Sequence, residues 1–283
     1  MGARVGEVIL EARGLVHRYP GGDGDTLRGL DLRVTAGRRL ALLGANGAGK
    51  TTLLLHLNGT LRPREGTVLL DGRPGRHDPA GLAAWRQTVG LVLQEPDDQL
   101  FAASVAEDVS FGPLNLGLPE DEVARRVSET LEALRITPLG PRPPHLLSHG
   151  QRKRAAIAGI LAMRPRVLVL DEPTAGLDHL GKAHLLSTLS RLGEAGATIV
   201  FSTHDVDLAH AWADEAALFA EGRVLGQGPA TEILADVALL QSARLGTPAV
   251  VALRRAGVSV PDGARSVEEW VGNRPNRHPS SGH

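Results

Sequence analysis

The sequence predicts an α/β protein with a mostly parallel core sheet and a helical insertion, on three observations. Short apolar runs alternate with stretches of helical periodicity along most of the chain, as strands joined by crossover helices do. Val167 to Leu170 is an uninterrupted apolar run, expected of a central parallel strand covered on both faces. Val123, Val127, Leu131 and Leu134 recur at helical spacing with Glu and Arg between them, which makes Ser104 to Thr137 a helical segment.

Taken in order, Val8 to Tyr19 carries β-like runs, and Gly21 to Asp25 is a turn-rich break. Leu30 to Thr35 alternates apolar and polar residues as a half-buried strand. Arg39 to Leu43 is a short apolar run entering a Gly-rich loop, and Thr51 to Leu57 starts a helix. Thr67 to Leu70 with Asp71-Gly72 reads as strand and turn, and Val89 to Leu93 as a buried strand. Pro138 to Pro144 is a loop; Arg152 to Met163 is a helix of small residues whose basic start, Arg152-Lys153-Arg154, is expected to be solvated or to face a second subunit. Leu185, Leu186, Leu189 and Leu192 mark an amphipathic helix, Thr198 to Ser202 a strand, and Ala216 to Leu225 a hairpin turning at Glu221-Gly222. After Thr231 the pattern weakens to a helical segment.

Composition narrows the class. The 283 residues are 42% hydrophobic and 22% charged, enough for one large α/β domain or for a main domain plus a small appendage. A net charge of -1 offers no basic field for nucleic acid, so none is expected as partner. With no cysteine, disulfides and thiolate metal sites are excluded. No run approaches the ~20 apolar residues of a membrane span; the most apolar, Ala155 to Leu170, is broken by Arg164, Pro165 and Arg166. The start of the chain lacks the apolar core of a signal peptide. Any link to a membrane is expected to run through a partner protein.

The chemistry begins at Gly44-Ala45-Asn46-Gly47-Ala48-Gly49-Lys50-Thr51, a phosphate loop between an apolar run and a helix start. Glycines there let backbone N–H groups turn toward phosphate oxygens, and the helix N-terminus adds its positive end. Gly44, Asn46, Gly47 and Gly49 shape the cradle. Lys50 is expected on the β- and γ-phosphates of a nucleotide, Thr51 on Mg²⁺, with Thr52 alongside. Asp171 and Glu172 follow the apolar run Val167 to Leu170. Asp171 can steady Mg²⁺ through a water, and Glu172 can polarise an attacking water.

The segments between these sites carry a resemblance. Leu147-Ser148-His149-Gly150-Gln151 resembles the signature motif of ABC ATPases, and Pro173 to Asp178 resembles their D-loop. His204 falls at the switch-histidine position and Gln94 at the Q-loop glutamine, while Tyr19 lies where that family stacks an aromatic on adenine. The resemblance covers Val8 to Thr231. It implies the ABC type of phosphate-loop fold, with an antiparallel N-terminal β part. It implies ATP and Mg²⁺ as cofactors, Glu172, His204 and Gln94 as catalytic residues, and Thr51, Gln94 and Asp171 around the metal. Ser148, Gly150 and Gln151 would contact a nucleotide held by a second ATPase copy, in a homodimer or a heterodimer. His149 departs from the family's glycine, either as a tolerated substitution or as an added donor to the γ-phosphate.

Gln94 to Phe101, Val105 to Pro113, Arg18-Tyr19-Pro20 and Ile157 to Met163 are similar to the ATPases of energy-coupling-factor importers, especially the cobalt and nickel branch. That resemblance implies an integral membrane scaffold and a small substrate-binding membrane subunit as partners, at the cytoplasmic face of the membrane. Leu100 and Phe101 are apolar in a charged loop and suit a docking groove. The expected organisation is a nucleotide-binding domain over 1–232 with its helical subdomain at about 95–165, an extension over 233–272, and a disordered tail over 273–283. A vitamin importer, another ABC transporter, a soluble ABC ATPase of DNA or ribosomes, and a phosphate-loop kinase are the rivals. The kinase would lack signature, D-loop and switch histidine together.

Overall fold

The computed structural model describes residues 4–261, 263–267 and 269; the tail expected over 273–283 lies outside them. The chain opens with β1 (Val8–His17), β2 (Leu27–Thr35) and β3 (Arg39–Gly44), followed by α1 (Lys50–Leu57). Next come β4 (Glu65–Leu70), β5 (Arg73–Pro74), α2 (Pro79–Thr88) and β6 (Val89–Val92). Three helices then follow without an intervening strand: α3 (Val105–Asn115), α4 (Glu120–Ala133) and α5 (His149–Leu161). The chain returns through β7 (Val167–Leu170), α6 (His179–Glu194), β8 (Thr198–Thr203) and α7 (Val206–Trp212). It continues with β9 (Glu215–Ala220), β10 (Arg223–Pro229) and the short helices α8 (Ala230–Ile233), α9 (Val237–Ser242) and α10 (Ala249–Arg255).

Two sheets result. One is antiparallel, in the order β2-β1-β4-β5. The other runs β10-β9-β3-β8-β7-β6 and is parallel except at the β9/β10 hairpin. The hairpin turns at Glu221 and Gly222, both with positive φ. The sheets meet where the Gln227 side chain on β10 bonds the Arg33 backbone on β2 through both its oxygen and its nitrogen.

Strand alternation explains the two-sided core. Leu168 and Leu170 of β7, Ile199 and Phe201 of β8, and Ala41 and Leu43 of β3 pack on one face with α3, α4, α5 and α6. Their neighbours Val167, Val169, Val200, Leu40 and Leu42 pack on the other, with α1 and the antiparallel sheet. Period-2 side-chain alternation sends each strand to both faces, and each buried Val, Leu or Ile contributes roughly 1.5–3 kcal/mol. That is why these strands read as continuous apolar runs.

The sequence reading departs most from the structure at three helices, α5, α2 and α7. α5 begins at His149, not Arg152, because Ser148 and Gln151 form a reciprocal cap that starts the helix three residues earlier. Arg152-Lys153-Arg154 is therefore no solvated helix start: Lys153 is fully buried and Arg152 pairs with Asp97 at 2.7 Å. α2 and α7 were not foreseen from periodicity: α7 is only 7 residues long, and α2 buries Trp85 alone. Each has an aspartate cap: Asp78 accepts from Gly81 N–H and Asp205 from Leu208 N–H. Among the described residues, no helix is long and apolar enough to cross a membrane.

Candidate functional site

β3, β6, β7 and β8 run parallel, so their C-terminal ends share one edge of the sheet, the edge at which open α/β sheets bind ligands. A cavity of about 330 Å³ opens there. Asn46, Gly47, Gly49, Lys50, Thr51, Thr52, Gln94, Asp171, Glu172 and His204 line it, together with Thr26 and Ala175. Apart from Thr26, the lining residues, up to 158 positions apart (Asn46 to His204), are gathered because each follows the end of a parallel strand.

The loop between β3 and α1 is built by its glycines. Gly47 and Gly49 have φ of 79° and 104°, in the left-handed region, and a Cβ on Gly49 would stand 3.0 Å from the Thr26 carbonyl oxygen. Gly44 does not line the cavity. It lets β3 approach β9, since a Cβ there would meet the Phe219 carbonyl at 2.6 Å. Lys50 Nζ donates to the carbonyls of Gly44 at 2.7 Å and Ala45 at 3.2 Å, which folds the ammonium over the loop. Burial lowers its pKa, while Glu172 and Asp171 push it back up.

The carboxylates are held as firmly. Thr51 Oγ1 donates to Asp171 Oδ2 at 2.6 Å, and Ser202 Oγ donates to Asp171 Oδ1. The same Ser202 oxygen accepts Glu172 N–H at 2.9 Å. Ser202, which sequence reasoning missed, thus holds both acidic residues; its signal is a serine that follows the apolar run Ile199 to Phe201 in a buried strand, β8, next to β7. Glu172 is buried and its Oε1 lies 3.0 Å from His204 Nδ1, whose own ring is 68% exposed. A buried carboxylate with one oxygen engaged by an imidazole leaves the other to take a proton from water.

Tyr19 stands beside this cavity. Its hydroxyl is 3.2 Å from Thr52 Oγ1 on α1, and its ring packs edge-on against His17 at 4.7 Å. Ser148, Gly150 and Gln151 do not line the cavity. They form the N-terminal turn of α5, where Ser148 is exposed. His149 turns against the D-loop: a Cβ on Gly176, which has φ of 74°, would come 2.5 Å from His149 Cδ2.

Such a cradle can hold the terminal phosphates of a nucleotide and bring water to them under carboxylate control, the chemistry of phosphate-loop hydrolases. Comparison with known proteins gives the family. Residues 27–175 match the ABC transporter family. The chain is 58% identical over 260 residues to the cobalt import ATP-binding protein CbiO of Rhodobacter capsulatus, covering 91% of this chain and 92% of that one. It is 50% identical over 245 residues to the energy-coupling factor transporter ATP-binding protein EcfA of Methanocaldococcus jannaschii, covering 87% and 88%. Among solved structures it resembles CbiO1 from Clostridium perfringens, part of an ABC transporter complex. The TM-score is 0.73 and the identity 40%, over 88% of this chain and 99% of that one. The chain belongs to the ABC transporter family, among its ATP-binding, ATP-hydrolysing subunits.

Proposed function

We propose that this ATPase powers an energy-coupling-factor importer, with cobalt or nickel ions as cargo, at the cytoplasmic face of the membrane. The observation that carries the hydrolytic part is the single cavity joining Lys50, Thr51, Gln94, Asp171, Glu172 and His204. The importer part is supported by the similarity to a cobalt import ATP-binding protein and to an energy-coupling factor ATP-binding protein.

Tyr19 stacks on the adenine, and the loop from Gly44 to Thr52 takes the phosphates, with Lys50 on the terminal one. The Thr51 hydroxyl and the Asp171 carboxylate, 2.6 Å apart, fit a hard cation that prefers oxygen ligands. Thr51, Asp171 and Gln94 would hold Mg²⁺, which neutralises phosphate charge when bound. Glu172 accepts a proton from the water that attacks the γ-phosphorus, as the bond to the bridging oxygen breaks and ADP leaves. His204 orients Glu172. Ser148, Gly150 and Gln151 lie off their own cavity, which suits contact with a nucleotide held by a second copy or a similar chain, arranged head to tail. A ligand that prefers this closed pair drives closure, and its hydrolysis reverses it.

A second cavity, about 640 Å³, suits a helix of the membrane scaffold. Its mouth carries Phe101 and Phe111, packed edge to face at 4.8 Å, with Phe101 67% exposed. An aromatic pair this open in a chain with few aromatics supports docking there.

The test of the hydrolytic reading is the Mg-dependent ATPase rate of the purified chain and of Glu172→Gln. The variant should keep ATP affinity and lose ~10²-fold or more in kcat, as for a lost general base. Near-normal turnover would remove Glu172 from that role. Uptake of radiolabelled cobalt or nickel by cells expressing the chain with its membrane partners, absent for Glu172→Gln, tests the cargo.

A further inference from the structure

Only three of the 31 basic Lys and Arg residues are lysines: Lys50, Lys153 and Lys182. Lys182 is exposed; the other two are buried, Lys153 completely. In a chain that otherwise uses arginine, lysine is kept where a compact charge with rotatable donors is needed. Lys50 belongs to the phosphate loop. Lys153 has no role in the mechanism above.

Lys153 sits one turn into α5, five residues after the cap Ser148. Its Nζ donates to the Gln94 carbonyl at 2.5 Å and reaches the Asp171 carbonyl at 3.5 Å. Gln94 follows β6 and Asp171 follows β7, two adjacent parallel strands kept in step by Asp171 N–H to Val92 C=O at 2.9 Å. The side chains of both residues face the nucleotide cavity. Burial lowers the ammonium's pKa, and the nearby Asp171, Glu95 and Glu172 oppose this. A buried cation survives only where such partners are fixed. Arginine's planar fork does not match two carbonyls on neighbouring strand ends as a three-donor ammonium does. From Ser148 to Lys153 the helix forms a rigid link of about 7.5 Å.

We propose that Lys153 is a positioning residue for hydrolysis, coupling the signature turn at Ser148 to the backbones of Gln94 and Asp171. Engagement of that turn by a partner's nucleotide thereby sets the groups that face the chain's own nucleotide. The proposal rests on the head-to-tail reading given above and adds the link within one subunit.

Lys153→Met keeps the apolar stem and removes the ammonium; Lys153→Arg keeps the charge. ATP affinity, KM, kcat and melting temperature are read on the purified full chain. Lys153→Met should hold affinity and KM within about threefold while kcat falls ~10-fold or more, and Lys153→Arg should recover part of kcat. Parent-like kcat in Lys153→Met overturns the proposal. So does a joint loss of affinity and kcat without recovery in Lys153→Arg, the result of removing a mere core prop. If Lys153→Met does not fold, hydrogen exchange on the Glu172→Gln chain decides. ATP should slow exchange over 93–98 and 171–175, and adding Ser148→Ala should remove at least half of that slowing; slowing that survives overturns the coupling. A parent chain that neither hydrolyses ATP nor pairs when ATP is added sinks the head-to-tail reading itself. An active, pairing parent with an unaltered Lys153→Met sinks the Lys153 proposal alone.

Discussion

Glu172 holds φ of 44°, a left-handed conformation for a residue with a side chain, at a cost of roughly 1–2 kcal/mol. Ser202 offsets it by accepting Glu172 N–H while also holding Asp171. Two carboxylates thus depend on one hydroxyl from the next strand. Ser202→Ala leaves Glu172 N–H without its buried acceptor, which costs about 1–3 kcal/mol. It should lower kcat ~10-fold with smaller change in ATP affinity. Urea unfolding and steady-state kinetics check both, and an unchanged kcat would make Ser202 a structural residue only. Glu172 and Asp171 were legible because they end an apolar run downstream of a phosphate loop. Ser202 was not, because a serine in a strand gives no sign of which neighbour it will meet.

At the scale of elements, α1 shows how the phosphate helix is anchored. His56 is fully buried there, its Nδ1 2.7 Å from the Thr52 carbonyl and its ring edge-on to His17 at 4.7 Å. Burial pushes its pKa from 6.5 down to about 4, so it is neutral in the folded chain. Between these two values the unfolded chain binds more protons, so stability falls as pH falls through that window. From pH 7 to pH 5 the loss due to His56 is about 2 kcal/mol. Urea unfolding at both pH values should show that part of the slope missing in His56→Leu; an equal slope in the variant would contradict it. Strands and amphipathic helices of this fold were readable because their periodicity is set by the two-sided core. α2 was not, because a single large residue, Trp85, anchors it, donating its indole N–H to the Leu57 carbonyl. A Cβ on Gly75 would strike the Trp85 ring at 1.9 Å, so that glycine belongs to the same packing unit. The start of α5 was misplaced because its cap lies inside the signature motif, and the error hid the burial of Lys153.

At the scale of the molecule, the nucleotide cavity and the proposed docking groove have separate linings. The nucleotide cavity lies at the strand ends, and the Phe101–Phe111 groove is walled by residues of α1, α2, β6, α3 and α5, from Leu55 on α1 to Met163 after α5. Gln94 and Gln99 join them: Gln94 lines the nucleotide cavity, Gln99 the groove, and Gln99 holds Leu93 N–H and Leu91 C=O at the end of β6. Gln99 thus ties the groove to Leu93, the residue before Gln94. The phosphate loop and the signature were legible as local strings. The groove was foreseen only through Leu100 and Phe101, because its other walls come from distant segments. The measurement that tests the account most directly is purification of the tagged chain from its own membranes in mild detergent, beside Phe101→Asp. The parent should bring down a multi-span membrane scaffold with a small membrane-embedded binding protein, and Phe101→Asp should lose both while still binding ATP. A parent chain recovered alone, or with ribosomes or DNA, would contradict the importer reading and leave the ATPase standing.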